Sequence, residues 1–140
     1  MSKAQKEVEL AVRVGNQPEG LSRVLATVAQ HGVRVVAYCA YSEREETVVL
    51  LVTENPFDAK RALEGAGYRC KANSVVLVGS IHQVGAAAHL GTSLKYAGVE
   101  ILYSYASSAG ADRLFTVFKT TDDERAIRVL QEHSWAQQAA

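Results

Sequence analysis

The chain has little of what special chemistry needs. Its two cysteines, Cys39 and Cys70, lie far apart and in no metal-ligand spacing, which excludes a disulfide framework or a zinc ribbon. They read as ordinary apolar thiols of a reducing compartment. The four histidines, His31, His82, His89 and His133, share no spacing, so no metal site is expected. There is no excess of charge of either sign: 15 Lys plus Arg balance 15 Asp plus Glu. That argues against a nucleic-acid partner, which needs a basic surplus to neutralise phosphates. No apolar run approaches the roughly 20 residues needed to span a bilayer, and Met1 to Glu7 lack a signal-peptide core, so a cytoplasmic protein without a membrane partner is expected. Gly-x-Ser-x-Gly, phosphate-loop, paired-carboxylate and Cys/His nucleophile patterns are all missing. Glu43, Glu45 and Glu46 read as a solvated acidic turn. The expectation is a non-enzyme without a cofactor.

What is present is a repeat. Gln30-His31-Gly32-Val33-Arg34-Val35-Val36-Ala37-Tyr38 resembles Tyr96-Ala97-Gly98-Val99-Glu100-Ile101-Leu102-Tyr103-Ser104, at an offset of 66 residues. Carried backward, the offset sets Asn16 on His82 and Gln17 on Gln83. Carried forward, it sets Glu46-Thr47-Val48-Val49 on Asp112-Arg113-Leu114-Phe115. Ala59 and Leu63 then meet Ala126 and Leu130 at 67, so one residue is expected to enter just before the last helix of the second half.

Each half reads strand, helix, strand, strand, helix. Val8, Leu10, Val12 and Val14 alternate with Glu9, Ala11 and Arg13 as in a half-buried strand. Leu21, Val24, Leu25 and Val28 recur at helical spacing, and Gly32 ends that helix. Val33 to Tyr41 and Glu46 to Thr53 are strands. Asn55-Pro56 opens a helix that buries Ala59, Ala62 and Leu63. Tyr68 to Val78 is extended. In the second half Val75 to Ile81, Val99 to Ala106 and Asp112 to Lys119 read as strands and Gly85 to Ala97 as a helix. Thr121-Asp122-Asp123-Glu124 reads as a capping box before a helix burying Ala126, Val129 and Leu130.

This order predicts an α+β chain of two βαββαβ units in tandem, residues 5–73 and 74–140, each an antiparallel four-stranded sheet with helices on one face. The second unit lacks a last strand of its own. Its strand Val75 to Ile81 would lie at a bare edge, so pairing with the other half or a second chain is expected. Units of this size bury thin cores, which favours two packed together or a dimer.

Val14-Gly15-Asn16-Gln17-Pro18-Glu19-Gly20-Leu21 followed by Ala29-Gln30-His31-Gly32-Val33-Arg34-Val35 resembles the ACT domain, a ligand-binding regulatory module. Ala97-Gly98-Val99-Glu100-Ile101-Leu102-Tyr103-Ser104-Tyr105 and Thr121-Asp122-Asp123-Glu124-Arg125-Ala126 carry the resemblance through the second half. The whole chain is similar to stand-alone tandem ACT proteins that hold no catalytic domain. It departs from the family in having Glu19 directly after Pro18, no proline in His82-Gln83-Val84-Gly85-Ala86, and Arg34 and Glu100 where asparagine is common.

The resemblance implies a ferredoxin-like fold and a regulatory protein that binds a free amino acid where ACT units meet. The loop Asn16, Gln17, Pro18, Glu19, Gly20, Leu21 leads into a helix whose first amides suit a carboxylate. Asn16 and Glu100 are candidate acceptors for an α-ammonium, Arg34 a partner for a second carboxylate, and His82 and Gln83 the second-half counterparts. The plainer reading makes Asn16 a helix cap and Arg34 and Glu100 solvated strand residues. A homodimer and a metabolic enzyme partner are expected as well. The rival is a ligand-free dimerising or regulatory subunit of such an enzyme. RNA binding on this strand order needs aromatics on the first and third strands, and the first half has none there.

Overall fold

The computed structural model describes residues 3–81, 83–108, 110 and 112–139, with side chains as far as Gln131. The elements run β1 (Lys3–Gly15), α1 (Gly20–Gln30), β2 (Val35–Glu43), β3 (Glu46–Thr53), α2 (Pro56–Gly65), β4 (Cys70–Ile81), α3 (Ala86–Tyr96), β5 (Ile101–Ser108), β6 (Arg113–Thr120) and α4 (Asp123–Ala139). The chain divides into two compact units. One is residues 8–73; the other is residues 74–140 together with residues 1–7. The long strands β1 and β4 therefore each give residues to both.

In the first unit the strand order is β2-β3-β1, with the opening of β4 beside β1. Leu10 lies opposite Leu51 and Val12 opposite Val49, in antiparallel register. These residues, with Val24 and Val28 of α1 and Ala59 and Leu63 of α2, form the core, so the alternation of β1 and the stripes of both helices meet as expected. Burying each large side chain contributes roughly 1.5–3 kcal/mol. Asn55 caps α2 by accepting the Asp58 amide at 3.1 Å, with Pro56 in the first turn. Two residues break the alternation, and Val8, expected to face the core, is exposed. Glu9 was expected to face solvent, yet it is fully buried, and its carboxylate accepts the Asn73 amide at 3.3 Å.

The second unit repeats this plan. Val76 lies opposite Phe118 and Val78 opposite Thr116. Val76, Val78, Leu90, Leu94, Val99, Phe118, Ala126 and Leu130 make its core. The place of the missing last strand is taken by the chain's own start. Ala4 is buried in this core, and its carbonyl accepts the Gln131 side-chain amide at 2.9 Å. Among the described residues no strand follows α4, which continues to Ala139.

Two expectations need correction. Tyr38 faces Leu51 and Ser104 faces Phe118, so the repeat offset is 66 on the second strands but already 67 on the third. The extra residue enters the β5–β6 turn, not the approach to the last helix, because a surface turn absorbs a residue without disturbing the ladder. The cap of α4 is likewise Asp122, whose Oδ1 accepts the Arg125 amide at 3.1 Å. Thr121 instead accepts the Glu100 amide with its hydroxyl. Asp122 stands 67 residues after Asn55, so the two caps are equivalent.

Candidate functional site

The loop between β1 and α1 is a tight turn. The Gln17 amide donates to the Gly15 carbonyl at 2.7 Å and the Gly20 amide to the Gln17 carbonyl at 3.1 Å. Pro18 fixes φ at the first turn corner, and Glu19, at φ −87° and ψ 0°, occupies the second, the geometry of a type I turn. Glu19 is the N-cap of α1, and no side chain caps that helix end. The Glu19 side chain leans instead toward Arg23, 3.7 Å away and exposed. The Gly20 amide is used inside the turn, so the Leu21 and Ser22 amides carry the positive end of the helix dipole.

Asn16 does not cap the helix. Its Oδ1 accepts the hydroxyl of Ser42 at 3.1 Å and that of Thr47 at 3.2 Å. Both lone pairs of the amide oxygen are thus occupied, and the side chain presents its NH2 group as donor. The residue expected as an acceptor is arranged to donate. Ser42 and Thr47, which pair directly across the β2–β3 ladder, were not singled out from the sequence. The signal for them is the register: Thr47 also faces Val14, two residues before Asn16.

The second unit rebuilds the turn with other residues. The Ala86 amide donates to the Gln83 carbonyl at 3.1 Å, and the His89 amide to the Gly85 carbonyl at 2.9 Å. Gly85 has φ +85° and ψ −3°, a left-handed conformation that makes this a type II turn. Its helix, too, lacks a side-chain cap. His82 lies outside the described residues.

Arg34 and Glu100 stand apart from these loops. Asn16 is held at the start of β3 by Thr47, whereas Arg34 meets Glu54 just past its end, in an exposed ion pair of 3.6 Å. Seven residues of strand, at about 3.3 Å each, separate those ends, so Arg34 and Asn16 of one unit do not converge. Glu100 occupies the equivalent far end in the second unit, where its carbonyl accepts the Thr121 amide at 3.1 Å. It borders an open groove of about 290 Å³ with Gly91, Lys95, Gly98, Val99 and Ile101.

Among the described residues no cluster of three or more His, Cys, Asp or Glu side chains is set to hold a metal ion. Nor is any helix among them long and apolar enough to cross a membrane.

A βαββαβ unit, followed by a βαββα unit that the chain's own start completes, each with a tight turn running into an uncapped helix, defines the tandem ferredoxin-like fold. The family model of the ACT domain pair matches residues 6–137, and the chain belongs to that family. No curated protein gives a significant sequence match. A crystal structure of a protein from Bacteroides thetaiotaomicron is 22% identical with a TM-score of 0.83, over 92% of this chain and 89% of that one. The ligand-free regulatory subunit of aspartate kinase from Thermus thermophilus is 14% identical, with a TM-score of 0.71, over 94% and 95% of the two chains. A structure of aspartokinase alpha and beta subunits is 20% identical, with a TM-score of 0.63, over 94% and 96%.

Proposed function

We propose that this chain is a non-catalytic regulatory protein that binds a free amino acid or a similar small carboxylate at the β1–α1 turn. The observation that carries the reading is the state of that turn: the Leu21 and Ser22 amides open a helix that no side chain caps, beside an Asn16 amide held in place by Ser42 and Thr47. In this assignment the ligand carboxylate takes the two helix amides and the Asn16 NH2 group. Hydrogen bonds to a charged group contribute about 1.5–3 kcal/mol each. Two or three of them, after ordering costs, support roughly micromolar to millimolar affinity, suited to sensing a metabolite pool. Glu19 supplies a carboxylate for the α-ammonium. The turn from Gln83 to Ala86 is the second-unit counterpart. The protein acts in the cytoplasm as a homodimer.

Thermal denaturation against a panel of the amino acids, each at millimolar concentration, tests this. At least one is expected to raise the melting temperature, and Asn16→Ala to abolish that rise while leaving the unliganded protein folded. A panel with no shift overturns the reading.

A second reading is favoured by the near-complete coverage of an aspartate kinase regulatory subunit. On it the chain is a ligand-free dimerising or regulatory subunit of a metabolic enzyme. Co-purification of a kinase-sized partner, with no ligand shift, distinguishes it.

A further inference from the structure

The duplication allows one face of the second unit to be read against the first. In the first unit Arg13, on β1, and Glu46, at the start of β3, form an ion pair of 3.8 Å. Their counterparts by strand register are Gly79 and Arg113. The acid has become a base and the base has lost its side chain. Ladder register keeps the pair together: Gly79 faces Phe115 and Ile81 faces Arg113.

The result is a hollow of about 100 Å³ lined by Lys3, Gln5, Leu77, Gly79, Arg113 and Phe115. Its floor is apolar, formed by buried Leu77 and the Phe115 ring. A side chain at position 79 would fill it, since a Cβ there would stand 3.3 Å from Phe115 Cε1 and 3.7 Å from an Arg113 guanidinium nitrogen. The guanidinium lies over the Phe115 ring, 5.8 Å from its centroid, which fixes the charge above the floor. Among the described residues neither Arg113 nor Lys3 has an acidic partner within ion-pair distance. The nearest acid along this face of β1, Glu7, is engaged by the Gln5 amide at 2.6 Å.

We propose that this hollow binds a short aliphatic dicarboxylate. Arg113 takes one carboxylate, in the place where the first unit keeps Glu46 beside Arg13. Lys3 takes the other, and the methylenes lie on Leu77 and Phe115. At about 30 Å³ per water the hollow holds roughly three water-sized groups, so the methylenes of a molecule the size of succinate lie in it and the carboxylates stand at its open rim. The site is independent of the β1–α1 turn.

Amide-resolved NMR titration of the full chain with succinate tests it. Saturable shifts are expected at Gly79, Phe115 and Arg113. Arg113→Gln is expected to weaken binding by roughly tenfold or more, the loss of a charge-assisted bond. Arg113→Lys, which keeps the charge, retains most of it, and Arg13→Gln leaves it unchanged. A melting curve of each variant confirms that it is folded. The proposal is overturned by absence of saturation, by unchanged affinity in Arg113→Gln, or by equal binding of neutral succinamide. Equal binding of sulfate, which has charge but no apolar body, overturns it as well. So do shifts confined to residues 19–22, which would assign the anion to the β1–α1 turn.

Discussion

Val14 Cγ2 stands 2.9 Å from where a Cβ on Gly20 would be. The first residue of α1 is therefore a glycine because the strand beneath it carries a branched side chain. In the second unit the same two places hold Ser80 and Ala86: the strand residue has shrunk and the helix residue has grown. Gly20→Ala is expected to destabilise the protein by about 1–3 kcal/mol through overpacking. Adding Val14→Ser to that variant reproduces the second-unit pair. Urea unfolding of both single variants and the double checks the coupling: the double is expected to be more stable than the sum of the singles implies.

Among the described residues the buried hydroxyls of Ser80 and Thr116 find no hydrogen-bond partner. Thr116 corresponds to Val49 of the first unit. Thr116→Val keeps the shape and removes a desolvated hydroxyl, so it is expected to stabilise by about 1 kcal/mol. A rise in the urea midpoint at unchanged slope is the measurement. Ser80→Val, by contrast, brings a branched side chain against Ala86 and is expected to lower the midpoint.

Residues Lys3 to Glu7 complete the second unit, with Ala4 in its core. Ala4→Asp buries a charge there and is expected to cost more than about 3 kcal/mol. Deleting the segment strips the edge of β4. Such an edge pairs with other strands, so concentration-dependent association is expected in light scattering.

The Cys70 thiol is pushed above its ordinary value, first by burial and then by the Glu64 carboxylate, with Lys60 pulling the other way. Its alkylation by iodoacetamide near neutral pH is expected to be slower than that of a solvent-exposed cysteine. Glu64→Gln should move the midpoint of its rate–pH profile down and Lys60→Gln should move it up. Because the folded state holds this proton more tightly, the associated stability is complete below the unfolded thiol's midpoint. It is lost as pH rises through the folded one.

Much of the site's framework was legible in the residues. The offset between Gly32 and Gly98 reveals the duplication, and Asn55-Pro56 marks a helix start that the Asp58 amide bond realises. Asn16 was legible as a polar residue at a turn, but its role was not. Which of its atoms is left for a ligand depends on Ser42 and Thr47, remote in sequence and brought beside it by the register of β3. On sequence alone Arg34 joins the loop, because nothing local reveals that a strand's length lies between them.

The elements and their apolar faces are written locally, in neighbours two to four residues apart, and the repeat shows when the two halves are laid side by side. Only the folded sheet shows which strand completes the second unit, why Glu9 is buried against its own alternation, and that Arg113 meets no acid among the described residues. Each of those depends on groups distant in the chain, whose desolvation and pairing exist only once the sheet has closed around them.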